Sequence, residues 1–325
     1  MGRHLLLLDF DGTITQHDTL DSLVSLAITA PRPQANDGND GDDRSSALTA
    51  LWQEIVRDYV AAHARHVAGY TPPTEERTTL ELELAFLESL KVVEAASAGR
   101  VSRAGFFSGL SGEELEELGR RAVALGVATH SCSGGDGGAG ENGEGNGEKG
   151  AVRVRKGLGE FVERMGGEEG LWDLAVVSVN WSGRFIKGVV AGSCPAGDRV
   201  RRIVANGIRW PDGDIEGPQE LGGEPLATAG DKLRAMRSLR EGLEEKKVAY
   251  FGDSTTDLPC LIEADLGVII AGDGESKLLK TLRRLGFEAP HVREAGAESN
   301  LVWAKDFAEV LRSGVMDRIQ CEACV

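Results

Sequence analysis

Two aspartates stand two positions apart at the end of an apolar run, in the segment LLLLDFDGTIT (residues 5–15). The four leucines at 5–8 have the composition of a short strand that is buried on both faces, as in a parallel sheet. Because burying bare carboxylates is costly, we expect the strand to end there and to present Asp9 and Asp11 at its carboxyl edge, where open α/β sheets bind ligands. The following glycine permits a tight turn, and Thr13 adds a hydroxyl. The alternative is an Asx-type turn without chemistry.

Polar side chains also follow two later apolar runs, LWDLAVVSVN and KKVAYFGDS, and a lysine opens the helix predicted between them. These polar residues are, in chain order, Ser178, Asn180, Lys232, Asp253 and Asp257. In a parallel sheet the carboxyl ends of all strands lie along one edge. We therefore expect these side chains to meet Asp9 and Asp11 there.

Four carboxylates in one pocket would repel one another, so either their pKa values separate or a cation lies among them. Oxygen ligands without a nearby histidine or cysteine predict a hard ion, and Mg²⁺ is the natural choice beside a phosphate. A serine hydroxyl and a lysine ammonium suit a phosphoryl group, because they donate hydrogen bonds and neutralise its charge. An aspartate can also take a phosphoryl group covalently and then be hydrolysed. The pattern indicates phosphoryl chemistry with Mg²⁺.

In this order, DFDGT, Ser178, Lys232 and GDSTTD resemble the four motifs of the haloacid dehalogenase superfamily. The resemblance implies an α/β fold, with a doubly wound, mainly parallel Rossmann-like core and an inserted α-helical cap of the C1 type. It implies a phosphatase in which Asp9 attacks phosphorus and Asp11 protonates the leaving alcohol and later activates water. The residues implied for phosphate binding are Thr13, Ser178, Asn180 and Lys232. Those implied for Mg²⁺ binding are Asp9, Asp11 through its backbone carbonyl, Asp253 and, close by, Asp257.

Within the superfamily, the chain resembles the phosphoserine-phosphatase-like branch. The segments YFGDSTTDLPCLIEADLGVII, IVANGIRW and VSRAGFF are similar to the plant phosphatase domain that acts on thiamin monophosphate. Phosphoserine phosphatases carry two glycines after the second-motif serine, where this chain has Val179, Asn180 and Trp181, and a glutamate where it has Asp18. The expected partner is a small phosphomonoester, either thiamin monophosphate or a sugar or polyol phosphate, and phosphoserine or a methionine-salvage phosphate is the alternative. Asp18, Arg103 and Trp181 are candidate substrate contacts.

The 325 residues carry a formal net charge of −16. No nucleic-acid partner is expected, because no basic excess is present to replace counterions on a phosphate backbone. Five scattered cysteines do not suggest a secreted disulfide framework, and the pair Cys321 and Cys324 lacks the second pair that a zinc site needs. No segment has the length of a membrane span, and the first apolar run is too short for a signal peptide. We therefore expect a cytoplasmic protein.

The pattern before residue 150 is mostly helical, and after it strands and helices alternate. Helices are predicted at 48–59, 79–97 and 111–125. Two segments rich in Gly, Asp, Asn and Glu, 31–46 and 133–150, are expected to be solvated loops. Asn206-Gly207 predicts a β-hairpin beside the main sheet. The predicted domains are a core at 1–15 and 151–315, a helical cap at 16–150 and a tail at 316–325.

Two other classes share parts of this pattern. A phosphorelay receiver combines an acidic pocket, a hydroxyl residue and a lysine, but its acidic pair and its phosphorylated aspartate lie on different strands, and it has no large helical insertion. A catalytically inactive phosphate-binding relative is disfavoured by the intact aspartates and lysine. His63 and His66 have a spacing that suits a metal, but their place near a helix end explains them structurally.

Overall fold

The computed structural model describes residues 4–31, 40–131, 149–167, 171–243 and 246–319. Its strands are β1 (His4–Leu8), β2 (Trp172–Val177), β3 (Val200–Val204), β4 (Gly207–Arg209), β5 (Asp214–Glu216), β6 (Val248–Gly252), β7 (Leu266–Ile270) and β8 (Leu301–Ala304). Six of them form a sheet in the order β3-β2-β1-β6-β7-β8. Every neighbouring pair in that sheet is parallel. The carboxyl ends of these strands therefore share one edge.

Helices follow or separate these strands. They are α1 (Leu20–Thr29), α2 (Asp40–Gly69), α3 (Leu80–Ser89), α4 (Lys91–Ala104), α5 (Gly112–Ser131), α6 (Leu158–Gly166), α7 (Gly183–Ser193), α8 (Ala229–Arg240), α9 (Leu258–Glu263), α10 (Lys277–Arg284), α11 (Phe307–Ser313) and α12 (Val315–Arg318). Five of them, α1 to α5, lie in the insertion between β1 and β2. None of the helices in the described residues has both the length and the apolar character that a bilayer crossing requires.

The leucines of β1 are buried on both faces of the sheet. Leu6 and Leu8 pack with Phe161 of α6 and Phe307 of α11, and Leu5 and Leu7 pack on the opposite face with residues of α8, α9 and α10. A strand covered on both sides needs apolar residues at successive positions rather than at alternate ones. The predicted buried strand and the doubly wound α/β class with a helical insertion are confirmed.

The predicted helices of the insertion are present with different limits. The helix expected at 48–59 lies within α2, which begins at Asp40, so residues 40–46 are helical and not a loop. The helix expected at 79–97 divides at Leu90 into α3 and α4. At the start of α5, the Ser111 N–H donates to Glu114 Oε2 at 2.7 Å and the Glu114 N–H donates to Ser111 Oγ at 3.2 Å. Residues 133–148 and 320–325, with Cys321 and Cys324, lie outside the described residues. The first residues of the predicted tail belong to α12, and Met316 is buried.

The segment by which the chain enters the helical insertion lies beside the segment by which it returns to the core. Thr15 forms an antiparallel bridge with Val154, and the Gln16 N–H donates to the Arg153 carbonyl at 2.9 Å. His66, whose spacing to His63 suggested a metal, is instead 2.7 Å from Ser89 Oγ through its Nε2, which supports the structural interpretation.

The prediction that Asn206-Gly207 forms a hairpin turn is wrong. The strand before it, β3, pairs in parallel with β2 at the edge of the main sheet, and the hairpin lies further on, between β4 and β5. Asn206 is buried, its Nδ2 donates to the Leu226 carbonyl at 2.9 Å, and its Oδ1 accepts from the Leu226 N–H at 2.8 Å. These buried backbone contacts suit an asparagine, and a dipeptide turn signal does not reveal them.

Candidate active site

Asp9 and Asp253 approach each other at the carboxyl ends of β1 and β6. Residues Phe10–Ile14 form a kinked turn after Asp9, and the backbone is not helical at Asp11 and Gly12. Within it Gly12 has φ +77°, and a Cβ there would lie 2.2 Å from the Asp253 carboxylate, so the close approach requires glycine. Thr13 Oγ1 donates to Asp253 Oδ1 at 3.0 Å. Two apolar strands, β1 and β6, thus bring Asp9 and Asp253 into one pocket.

Lys232 lies at the centre of the pocket. Its Nζ is 2.6 Å from Asp9 Oδ1 and 2.6 Å from Asp257 Oδ1, and its side chain is 1% exposed. Burial lowers the pKa of Lys232, but the carboxylates of Asp257 and Asp9 outweigh this effect and raise that pKa above its usual value. The ammonium therefore stays charged and neutralises part of the acidic group.

Asp257 binds both Lys232 and the backbone that follows β6. Its Oδ1 accepts from Lys232 and, at 2.8 Å, from the Tyr250 hydroxyl, while its Oδ2 accepts from the N–H groups of Asp253 and Ser254 at 3.3 and 3.1 Å. With its acceptor positions filled, Asp257 is suited to hold Lys232 and the Asp253 loop. The role of Tyr250 was not apparent from the sequence, since a tyrosine inside an apolar strand has the same pattern as any core residue.

The acidic group has the composition of a hard-cation site. Carboxylate oxygens of Asp9, Asp253 and Asp257 all lie within 4.8 Å of one another. Burial, and then the charge of Asp257, raises the pKa of Asp9 well above its usual value, and the same two causes raise the pKa of Asp253 to about 6. Three carboxylates face one ammonium, so a divalent ion with a preference for oxygen ligands fits the surplus charge.

Asp11 is held in a separate hydrogen-bond network. Its Oδ1 accepts from Thr19 N–H at 2.8 Å and from Thr19 Oγ1 at 2.7 Å, and its Oδ2 accepts from Asn180 Nδ2 at 2.9 Å. Burial, followed by the charge of Asp18, raises the pKa of Asp11 to about 7. A carboxyl group that titrates near neutrality can both give and take a proton, which suits general acid and base chemistry.

Ser178 and Asn180 reach the same edge from β2, and both are fully buried. The Asn180 N–H donates to Ser178 Oγ at 3.1 Å, and its side-chain Nδ2 also lies 3.1 Å from Thr19 Oγ1. Asn180, expected to contact phosphate, is therefore in this structure a partner of Asp11. Thr19 was missed in the sequence, where a threonine before a helix has the pattern of a simple N-cap.

The three candidate substrate contacts have different surroundings. Asp18 lies near enough to Asp11 for its charge to raise that pKa. Trp181 is half-buried, and its ring packs edge-on against Trp52 with the centroids 6.1 Å apart. Arg103 is exposed in the last turn of α4, and no hydrogen bond joins it to these acids in the described part of the chain.

The chain was compared with known proteins. No family model matches it. It is 24% identical over 285 residues to the Bifunctional TH2 protein, mitochondrial, of Arabidopsis thaliana, with 86% of this chain and 40% of that protein aligned. It is 22% identical over 280 residues to a CTO1 family protein of Schizosaccharomyces pombe, with 82% of this chain and 81% of that protein aligned. The chain thus spans about two fifths of the length of the plant protein.

A solved structure of a substrate-bound phosphoserine phosphatase complex is similar at 14% identity and a TM-score of 0.47, covering 96% of this chain and 98% of that one. The strand order, the helical insertion after β1 and the polar groups at one sheet edge agree with the Rossmann-like fold that the four motifs predicted. The resemblance predicted from the four motifs is confirmed. The chain is similar to phosphoserine phosphatases in its fold and to the plant and yeast proteins named above in its sequence.

Proposed function

We propose that this chain is a Mg²⁺-dependent phosphomonoester hydrolase that acts on a small phosphorylated metabolite through an aspartyl-phosphate on Asp9. The observation that supports this most directly is the position of Lys232, whose Nζ lies 2.6 Å from both Asp9 and Asp257. The ammonium can meet a phosphoryl oxygen beside the carboxylate that attacks phosphorus. When bound, Mg²⁺ would offset the negative charge of the phosphoryl group and be held by Asp9, Asp253 and the backbone carbonyl of Asp11.

The first step uses both aspartates that follow β1. An Asp9 oxygen forms a bond to phosphorus while the bond from phosphorus to the alcohol oxygen breaks. Asp11, whose pKa is about 7, gives its proton to that alcohol oxygen. Asn180 and Thr19 keep the Asp11 carboxyl oriented through three hydrogen bonds.

The second step restores the enzyme. Water attacks phosphorus, Asp11 takes a proton from that water, and the bond between phosphorus and the Asp9 oxygen breaks to release phosphate. Lys232 stays beside Asp9 in both steps and stabilises the charge on the phosphoryl oxygens. The Ser178 hydroxyl, at the end of the neighbouring strand, is the further group proposed to contact phosphate.

The acidic and aromatic surroundings of Asp11 favour a leaving group with a positive charge. The Tyr59 hydroxyl donates to Glu94 Oε1 at 2.8 Å in the cap, and the charge of Asp18 contributes to raised pKa values of both Asp11 and Glu94, after burial. Trp181 is half-buried and packs edge-on against the buried Trp52 ring, and aromatic faces attract organic cations. We therefore propose thiamin monophosphate as the substrate over sugar and polyol phosphates, in agreement with the resemblance noted in the sequence.

The test is a panel of phosphomonoesters assayed with Mg²⁺ and with a chelator. The panel contains thiamin monophosphate, phosphoserine, glycerol phosphate and a sugar phosphate, and Asp9→Asn serves as the inactive control. We expect Mg²⁺-dependent release of phosphate, with the highest kcat/KM for thiamin monophosphate. Hydrolysis of no member would contradict the phosphatase and favour a phosphate-binding regulatory protein. A preference for a neutral sugar or polyol phosphate would contradict the proposed substrate alone.

A further inference from the structure

Two side chains of the cap contact the first turn of α8, the helix that carries Lys232. Glu88, near the end of α3, accepts a hydrogen bond from Thr228 Oγ1 at 2.8 Å through its Oε2. Lys91, the first residue of α4, donates to Asp231 Oδ1 at 3.1 Å. A Cβ on Gly230 would lie 2.6 Å from the same Glu88 oxygen. The cap thus approaches this helix so closely that a side chain at position 230 would displace Glu88.

The residues that hold the cap are also those that start the helix. Thr228 and Asp231 form a capping box, in which the Asp231 N–H donates to Thr228 Oγ1 at 3.2 Å and the Thr228 N–H donates to Asp231 Oδ2 at 3.1 Å. The Asp231 side chain is 1% exposed. Lys232 comes next, and its N–H donates to the Thr228 carbonyl at 3.0 Å. Any movement of this turn therefore moves the backbone of Lys232.

We propose that Glu88 and Lys91 form a latch through which the docked cap positions Lys232. Glu88 brings a carboxylate to the positive N-terminal end of α8, and Lys91 brings a cation to a buried carboxylate, so both contacts are electrostatically favourable. Neither residue contacts Asp9 or the space beside it, so both are positioning residues. The effect on phosphate binding rests on the proposed function, because it requires Lys232 to meet a phosphoryl group.

Two substitutions release the latch, and a third serves as a matched control. Lys91→Met removes the cation from the cap. Gly230→Ala displaces Glu88, although alanine is the better helix former, so a change in helix stability alone would act in the opposite direction. Arg234→Met is the control, because Arg234 Nη2 donates to the same Asp231 Oδ1 at 2.6 Å from within α8 and makes no link to the cap through it.

The experiment measures backbone hydrogen exchange in α3, α4 and the first turn of α8, and the affinity for inorganic phosphate by calorimetry with Mg²⁺. We expect faster exchange in both places and about two- to tenfold weaker phosphate binding in Lys91→Met and Gly230→Ala. Arg234→Met should match the parent protein in both measurements. Unchanged exchange or unchanged phosphate affinity in the two latch variants would overturn the proposal, as would an equal change in the control.

The hydrogen-exchange measurement distinguishes a failure of the latch proposal from a failure of the proposed phosphatase function. If the parent protein binds no phosphate, the phosphatase assignment fails, while the exchange comparison still decides whether Glu88 and Lys91 hold the cap against α8. Exchange that is the same in the parent, the latch variants and the control would exclude the latch whatever the protein hydrolyses.

Discussion

Asn180 Nδ2 donates to Asp11 Oδ2 at 2.9 Å, although 169 positions separate the two residues. The contact joins the end of β2 to the turn after β1, and it reaches the carboxyl group that we propose to exchange a proton with the substrate. Asn180 is fully buried and Asp11 is half-buried, which makes the hydrogen bond stronger than it would be in water. The protonation of Asp11 therefore depends in part on Asn180, which follows a neighbouring strand.

Asn180→Ala should move the alkaline limb of the pH profile to higher pH. The hydrogen bond from Asn180 favours the ionised carboxylate and so lowers the pKa of Asp11 against the larger effect of burial. Since the first step needs protonated Asp11, kcat/KM falls as the pH rises through that pKa. Loss of the bond should move the fall upward by roughly 0.5 to 1 pH unit and lower kcat about tenfold, because the carboxyl is less well oriented. If the fall in kcat/KM of the variant occurs at the same pH as in the parent protein, Asn180 does not lower the pKa of Asp11.

Asp18→Asn should move the same limb in the opposite direction. The negative charge of Asp18 is, after burial, a cause of the raised pKa of Asp11, which is about 7. Removing this charge lets Asp11 ionise more easily, so kcat/KM should begin to fall at lower pH than in the parent protein. The measurement is the pH dependence of kcat/KM for a small generic phosphomonoester, chosen to limit contacts with the cap. A shift upward would show that Asp18 does not act on Asp11 through its charge.

Asp9→Asn should abolish hydrolysis while leaving the fold intact. An amide oxygen cannot replace the carboxylate as the nucleophile, so we expect turnover to fall by at least about 10³-fold. The fold should survive because burial and Asp257 already disfavour the charged form of Asp9. Steady-state assays and a thermal unfolding curve check the two parts. Substantial activity in the purified variant would assign the nucleophile elsewhere.

Asp253→Asn and Asp11→Asn should respond differently to added Mg²⁺. If Asp253 is a direct ligand, its amide variant should bind the ion more weakly, and activity should recover at higher Mg²⁺. In Asp11→Asn the backbone carbonyl that is proposed to contact the ion survives, but acid and base catalysis is lost, which is usually worth about 10²- to 10⁴-fold in rate. Extra Mg²⁺ should not restore it. A titration of both variants, with calorimetric Mg²⁺ affinities, would reveal reversed roles if only the Asp11 variant recovers.

The sequence predicts those parts of the site that local chemistry determines. Asp9 and Asp253 directly follow apolar strands, Asp11 lies in the turn after β1, and Lys232 opens a helix, so parallel pairing brings them to one edge of the sheet. Tyr250, Thr19 and the Asp11 contact of Asn180 depend on which elements meet in space, and their residue types are equally compatible with a core or a cap. The final strand β8 was not predicted, because four residues give too little periodicity. At Asn206-Gly207, tertiary pairing of β3 overrode a local turn signal.

The chain enters the helical insertion at Thr15 and leaves it at Val154, and the pairing of these two residues affects how the insertion can vary in evolution. Because the chain leaves the sheet and returns to it through adjacent backbone positions, the insertion can gain, lose or replace helices without changing the register of β1 against β2. The strand that ends at Asp9 and the strand that precedes Ser178 keep their alignment in either case. Natural variation can thus alter which molecules are admitted to the pocket while β1 and β2 keep Asp9 and Ser178 aligned. A chimaera with a foreign cap should keep this alignment but lose the contacts of Glu88 and Lys91 with α8.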